Sequence, residues 1–188
     1  MSVDGVRPKL ADPFTEEPVR YSNVYCIEPT TAAPRLVIGP AENHVELLLS
    51  LAQLWREQLG VLYVLLVPRL GKREPGRYQS PGPLDFEQVA EFCRRFHEFF
   101  EGDGRHHLWI GSASGPGLLV YDQHDWIYAY GDLPAYMQLL KTRGFVEGEI
   151  RPPSPHAHSY NEFFDRSEDE LMTYWQWKYF PLQDQDEY

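Results

Sequence analysis

The chain has 188 residues, a formal net charge of -11 at pH 7, and 43% hydrophobic and 14% aromatic residues. This composition excludes a largely disordered chain, and the length suits one domain with a sizeable core. The acidic excess argues against nucleic acid or an anionic membrane as partner, because binding phosphate requires a concentrated positive surface.

The two cysteines, Cys26 and Cys93, match neither a disulfide framework nor a zinc-finger spacing. The first residues lack the apolar core of a signal peptide, and no apolar run reaches the ~20 residues of a membrane span. We therefore expect a cytoplasmic protein without a membrane partner.

The first third of the chain predicts an arm followed by alternating strands and a helix. Residues 1–19 carry prolines among charges, which is typical of an extended or disordered arm. Short strands are predicted at residues 21–27 and 35–39, and Pro40 opens a helix that reaches Gly60. Residues 61–67, VLYVLLV, predict a strand buried on both faces. A helix and strand joined only by Gly60 predict a βαβ crossover.

Residues 68–83 interrupt this pattern with four prolines, three glycines and four basic residues. The composition predicts a long loop without regular structure, and such loops often carry function. In an acidic chain this positive patch favours an anionic ligand or an acidic partner, although a solvated loop needs neither. The candidate binding residues are Arg69, Lys72, Arg73 and Arg77.

A second helix is predicted to begin after Asp85 and to run to about Glu101. Asp85 and Gln88 have the spacing of a capping box, in which the side chain of each residue accepts a hydrogen bond from the backbone N–H of the other. Cys93 lies on the apolar stripe of this helix, where a buried free thiol is the usual outcome.

Residues 107–130 predict three short strands joined by turn-rich segments at residues 112–117 and 123–125. Connections this short require antiparallel neighbours, so the segment predicts a meander. Neither face of the third strand carries a charge, which places it inside the sheet. Asp132 then predicts the cap of a helix that ends before Gly144.

The last third predicts a strand at residues 145–150, a proline-broken connection, and a final helix from Ser167 to about Tyr179. The predicted element order is β-β-α-β-α-β-β-β-α-β-α. It predicts an α+β fold in one domain at residues 20–180, with a mixed sheet, a central antiparallel meander at about 107–130 and helices mainly on one face. Residues 181–188 form an acidic tail.

Five side chains form a candidate metal site. Asp122, His124 and Asp125 share one predicted hairpin turn, and His156 and His158 lie on the same side of an extended segment. Imidazoles and carboxylates suit zinc, iron or manganese, and a hydrolytic site keeps one position open for water. The spacing is not a known metalloenzyme signature, and Asp and His are also ordinary turn residues.

Three functional hypotheses follow from these patterns. The first is a non-catalytic protein-binding domain of inhibitor, immunity or scaffolding type without a cofactor. Its acidic charge suits a basic protein partner, and Trp175 and Trp177 are the candidate contact residues. The second is a metal-dependent hydrolase that uses the five side chains above. The third is a module that binds a small anion through residues 68–83. Strong fold signals and weak active-site signals favour the first hypothesis.

Overall fold

The computed structural model describes residues 6–69, 72–151 and 154–186. In this part of the chain, nine strands form one sheet, two short strands form a second, and five α-helices accompany them. The larger sheet contains antiparallel and parallel pairs. The predicted α+β class with a mixed sheet is therefore confirmed.

The strands are short, and most belong to the larger sheet. They are β1 (Leu10–Ala11), β2 (Val24–Glu28), β3 (Arg35–Gly39), β4 (Leu59–Leu65), β5 (Gly76–Gln79), β6 (His106–Ser112), β7 (Leu118–Tyr121), β8 (Ile127–Tyr130), β9 (Val146–Glu147), β10 (Ala157–His158) and β11 (Lys178–Phe180).

The larger sheet has the strand order β11-β5-β4-β6-β7-β8-β3-β2-β9. Only the β2–β9 pair is parallel among its described pairs. Strands β1 and β10 pair antiparallel in the small sheet. Since β6, β7 and β8 lie between β4 and β3, the connection from β3 to β4 spans three strands, and β3 and β4 run in the same direction.

The helices cover the face of the sheet that holds the core. They are α1 (His44–Ala52), α2 (Phe86–Arg95), α3 (His97–Gly102), α4 (Leu133–Thr142) and α5 (Asp165–Tyr174). Leu108 and Ile110 of β6 and Leu119 of β7 point into this core and are fully buried. Within the described residues, none of the helices has the length and apolar character needed to cross a bilayer.

Several local predictions are confirmed. Asp85 and Gln88 form both bonds of the capping box of α2, and Cys93 is a buried free thiol. The Asp132 carboxylate caps α4 by accepting a hydrogen bond from the backbone N–H of Ala135 at 3.2 Å. Gly144 follows α4 with φ +81°, the left-handed conformation that favours glycine.

The predicted helix from Pro40 to Gly60 is too long. Helix α1 ends at Ala52, and Gly60 lies inside β4. After the helix ends, the Trp55 Nε1–H donates to the Tyr136 hydroxyl at 2.8 Å, which holds this part of the chain against α4. The one-residue connection at Gly60 is therefore wrong.

The prediction of an irregular loop at residues 68–83 is also wrong in part. Gly76–Gln79 forms β5 between β4 and β11, and Tyr78 is 8% exposed in the core. The prolines flank this strand and do not interrupt its hydrogen bonds. Leu70 and Gly71 lie outside the described residues.

The helix predicted for residues 85–101 is divided at Phe96, whose φ of -108° and ψ of 15° leave the helical region. The strand predicted at residues 145–150 is limited to Val146–Glu147 at the edge of the sheet. The shorter strand is a difference at the ends of an element, where local sequence signals are weakest, whereas the break at Phe96 lies inside the predicted helix.

The last helix begins at Asp165 and ends at Tyr174, so neither the Ser167 cap nor the end at Tyr179 is correct. The first turn is fixed by side chains, because Asp165 accepts hydrogen bonds from Arg69 and Arg105. After Tyr174 the chain turns back and adds β11 to the sheet edge.

The N-terminal arm lies along the domain from Val6 onward, and Met1–Gly5 lie outside the described residues. Lys9 and Leu10 are 3% and 1% exposed, and β1 pairs with β10. At the other end, the Asp186 carboxylate is buried and pairs with Arg77 at 2.9 Å. Pro152, Pro153, Glu187 and Tyr188 lie outside the described residues.

Candidate metal centre

The turn between β7 and β8 places the first histidine. One oxygen of Asp122 accepts hydrogen bonds from the backbone N–H groups of His124 at 2.9 Å and Trp126 at 3.1 Å. Asp125 adopts the left-handed conformation with φ +61°, which Asp tolerates better than most residues. These two hydrogen bonds stabilise the turn and fix the backbone position of His124.

The second segment of the site is held by the small sheet. In β10, His158 pairs with Leu10 of β1. The backbone N–H of Gly104 donates to the Ser159 carbonyl at 3.0 Å, and a Cβ on Gly104 would lie 2.9 Å from the His158 Cβ. The absence of a side chain on Gly104 therefore allows β10 to approach the meander.

His124, His156 and His158 converge at this junction. Their ring centroids are separated by 5.1 Å (His124–His156), 5.0 Å (His124–His158) and 5.1 Å (His156–His158). One ring nitrogen from each lies within 4.8 Å of the other two, and all three residues are partly buried. The described residues contain no other group of three or more His, Cys, Asp or Glu side chains in this arrangement.

Asp122 also orients the His124 ring. Its second oxygen lies 2.9 Å from Nδ1 of His124. Burial opposes ionisation of Asp122, but the hydrogen bond with His124 and the neighbouring imidazoles outweigh it and lower the pKa of this carboxyl. A carboxylate bonded to Nδ1 leaves Nε2 as the metal-binding nitrogen, an arrangement common in zinc proteins.

His158 is neutral at pH 7. Burial lowers its pKa to about 4, and the adjacent His124 and His156 act in the same direction. Its Nδ1 is buried and has no hydrogen-bond partner among the described residues. A neutral imidazole is the form that binds metal ions.

The three imidazoles fit a zinc ion. Two nitrogens bound to one tetrahedral zinc at ~2.0–2.1 Å lie roughly 3.3 Å apart. The ring nitrogens lie within 4.8 Å of one another, so rotation of the partly buried rings would have to bring them to this separation on binding the ion. A set of three nitrogen ligands leaves the fourth tetrahedral position for water or a substrate.

The Asp125 carboxylate is not part of the histidine cluster and contacts other residues. Its carboxylate pairs with Lys9 at 3.0 Å and accepts a hydrogen bond from the Tyr121 hydroxyl at 2.7 Å. The Lys9 ammonium also donates to the Asp122 carbonyl at 2.9 Å and lies 3.9 Å from the centre of the Tyr121 ring. Lys9 therefore fastens the N-terminal arm to the turn that carries His124.

Two cavities flank His158. One has a volume of about 570 Å³ and includes Arg69, Tyr160 and Phe163, and the other has about 450 Å³ and includes Pro13. Arg7 lines both cavities and is exposed. Volumes of this size hold small organic ligands.

The basic residues of the 68–83 segment do not converge on one cavity. Each pairs with an acidic residue of the C-terminal segment, so its charge is compensated within the chain. The pairs are Arg69–Asp165 at 2.7 Å, Lys72–Asp169 at 3.6 Å, Arg73–Asp169 at 2.8 Å and Arg77–Asp186 at 2.9 Å.

Trp175 and Trp177 pack against the core and are partly buried. The Trp175 ring stacks on Phe92 with centroids 4.4 Å apart, and Trp177 meets the same ring edge-on at 5.7 Å. The Trp177 Nε1–H donates to the Leu171 carbonyl at 3.0 Å. Both side chains therefore close the core after α5.

Sequence reasoning missed Lys9 and Gly104, which hold the two halves of the site together. Lys9 stands beside the apolar pair Leu10–Ala11 in an otherwise polar arm, and that pair was the available signal for a buried contact. Gly104 lies in a segment whose composition only predicts a turn.

Comparison of the chain with protein-family models, curated proteins and solved structures finds no match.

Proposed function

We propose that this protein binds one zinc ion through His124, His156 and His158 and uses it for hydrolysis. The convergence of these three imidazoles from two segments about thirty residues apart carries the proposal. This is the second of the three hypotheses from the sequence, and it now has the strongest support.

The number of ligands favours a catalytic centre over a structural one. Structural zinc sites use four protein ligands, whereas catalytic sites use three and leave a position for water. The described residues supply three. A zinc ion held in this way lowers the pKa of bound water to about 7 and so provides hydroxide at neutral pH.

The surrounding residues hold the ligands and provide access. Asp122 fixes the ring of His124, and the β1–β10 pair fixes His158. The two cavities beside His158 give a substrate room to approach, and Arg7 offers a positive charge to an anionic or carbonyl oxygen there.

The test uses 4-nitrophenyl acetate and bis(4-nitrophenyl) phosphate as simple ester and phosphodiester probes. We expect chelator-treated protein to hydrolyse neither probe above background and one equivalent of zinc to restore hydrolysis of at least one. His156→Gln should abolish the zinc-dependent rate, because two ligands no longer hold the ion.

His97→Gln is the matched control, since His97 is exposed at the junction of α2 and α3 and outside the cluster. It should retain the full zinc-dependent rate. Zinc binding without hydrolysis of either probe, or equal rates for His156→Gln and the unchanged protein, contradicts the hydrolase proposal.

The protein-binding and anion-binding hypotheses, and the cytoplasmic location, stay predictions. The internal pairs of Arg69, Lys72, Arg73 and Arg77 reduce the charge available to an anion, and the packing of Trp175 and Trp177 reduces their availability to a partner. A pull-down that returns a stable partner in the absence of metal would favour the first of them.

A further inference from the structure

The face of the sheet opposite the helices carries a second candidate site, distinct from the histidine cluster. On this face, Leu62 of β4, Trp109 of β6 and Val120 of β7 are cross-strand neighbours. In the next row, Gly60 pairs with Gly111, and Gly111 pairs with Leu118. Two glycines thus lie side by side near the ends of two interior strands of the sheet.

The backbone does not require glycine at either position. Among the described glycines, only Gly131 and Gly144 have positive φ. A Cβ on Gly60 would meet nothing within 4 Å, and one on Gly111 would meet only Leu118 Cδ1, at 3.9 Å. Glycine weakens a strand interior and often marks a place where a ligand approaches the backbone. The pair therefore preserves a space.

The backbone of the two glycines forms the floor of a cavity of about 450 Å³. Leu62, Leu118 and Trp109 form its apolar walls, and Lys178 lies at its rim. A smaller cavity of about 220 Å³ shares Trp109 and Leu118 and continues along the sheet. The larger cavity alone is in the size range of small-molecule sites.

Two residues that line this space, Trp109 and Lys178, carry hydrogen-bond donors. Nε1 of Trp109 is buried and has no hydrogen-bond partner among the described residues. Lys178 is exposed, and no acidic side chain of the described residues lies within salt-bridge distance of it. In the smaller cavity, by contrast, Arg35 is already paired with Glu28 at 2.5 Å.

The charge on the Asp122 carboxylate, which also lines the smaller cavity, is compensated by hydrogen bonds with His124 and the backbone. The larger cavity differs from the smaller one in this respect, because its lining residues supply hydrogen-bond donors and apolar surface and include no carboxylate.

We infer that the cavity over Gly60 and Gly111 binds a small planar aromatic carboxylate. A flat ring suits a floor of two peptide units without side chains and walls of Leu62 and Leu118. A carboxylate only accepts hydrogen bonds, which suits both the Lys178 ammonium and the indole N–H of Trp109, which has no partner among the described residues. The inference is independent of the zinc proposal.

The probes are 2-naphthoate and its uncharged analogue 2-naphthamide, titrated into the protein while the indole N–H resonance of Trp109 is followed by NMR. Loss of one resonance in Trp109→Phe assigns the signal. We expect 2-naphthoate to shift it and to bind roughly 3- to 10-fold more tightly than 2-naphthamide, because a charge-assisted hydrogen bond is added.

Gly60→Val fills the floor with a residue that suits a strand. We expect it to fold at least as well as the unchanged protein and to bind 2-naphthoate at least ~10-fold more weakly, because the side chain occupies the ring's position. Gly111→Ala is a milder second variant and should weaken binding to a smaller extent.

Lys178→Gln should remove the preference for 2-naphthoate over 2-naphthamide while leaving amide binding unchanged. Lys141→Gln, which removes an exposed positive charge from α4, is the matched control and should keep the preference. No shift of the Trp109 resonance by either probe, equal affinity for the two probes, or undiminished binding by Gly60→Val overturns the inference.

Discussion

At the scale of single residues, Asp122 has two structural roles, and each of its two carboxylate oxygens performs one of them. One oxygen accepts hydrogen bonds from the backbone of the turn, and the other binds Nδ1 of His124. The side chain is 1% exposed. In the proposed zinc site, Asp122 therefore acts as an outer partner that orients His124, whereas the sequence led us to expect a ligand at this position.

Asp122→Asn separates these roles. The amide oxygen still accepts the backbone bonds of the turn, but the negative charge opposite His124 is lost. We expect zinc affinity to fall about 10- to 100-fold, as is usual when the partner of a histidine ligand is changed. Competition with a chromophoric zinc chelator measures the change.

Asp125→Asn is the matched control in the same turn. Asn tolerates the left-handed conformation of this position, and the lost carboxylate is the partner of Lys9, outside the cluster. This variant should lose stability but much less zinc affinity than Asp122→Asn, because Lys9 still donates to the Asp122 carbonyl and the partner of His124 is unchanged. Equal affinity losses for the two variants would contradict the role assigned to Asp122.

His44, the first residue of α1, provides a test of pH dependence. It is 9% exposed, its ring stacks on Tyr121 with centroids 5.2 Å apart, and burial lowers its pKa to about 4. An unfolded histidine titrates near ~6.5. Between these values the unfolded chain binds a proton that the folded chain does not, so the free energy of unfolding falls as the pH is lowered from about 6.5 to 4.

His44→Phe keeps the stacking and removes the titration. From pH 7 to pH 5 we expect this variant to lose about 2 kcal/mol less free energy of unfolding than the unchanged protein. Urea unfolding at the two pH values measures it. His97→Gln, at an exposed position, should show the full loss, and an unchanged pH dependence in His44→Phe would contradict burial as the cause.

At the scale of elements, Arg105 connects the start of β6 to the segment that follows β10. Its buried guanidinium donates to Asp103 at 2.7 Å, Glu168 at 2.8 Å and the Asn161 carbonyl at 3.1 Å. Asp103 in turn accepts from the backbone N–H of Asn161 at 2.9 Å. The network holds α5 and residues 157–165 against the sheet.

Arg105→Met tests this connection. The change leaves the buried carboxylates of Asp103 and Glu168 without their cation, and we expect the free energy of unfolding to fall by roughly 3–5 kcal/mol. Arg94→Met removes an exposed pair with Glu46 and should cost under ~1 kcal/mol. Similar losses in the two variants, measured by urea unfolding, would contradict the proposed role of the network.

The sequence predicted those elements whose signals are local. The capping box of α2 and the cap and glycine end of α4 each depend on residues within a few positions, and all three are correct. β11 was missed because its partner β5 lies about a hundred residues away. β5 was missed because its four residues lie among prolines and glycines, although it also pairs with the nearby β4. Strands of three or four residues are defined by such remote partners and carry little local pattern.

At the scale of the whole molecule, the candidate centre depends on three separate parts of the chain. The N-terminal arm supplies Lys9 and the partner strand of β10, the meander supplies His124, and the connection after β9 supplies His156 and His158. The sequence predicted the histidines as one possible group because of their spacing. It did not predict the arm as their support, because β1 has two residues and pairs with a strand far along the chain.

The metal content of the purified protein tests the central claim most directly. Protein prepared without chelator is analysed for metals by mass spectrometry, beside His124→Gln, His158→Gln and the control His97→Gln. We predict close to one zinc per chain in the unchanged protein and the control, and little in the two cluster variants. The proposed zinc site would be contradicted if the unchanged protein holds no metal after incubation with zinc, or if the cluster variants hold as much zinc as the control.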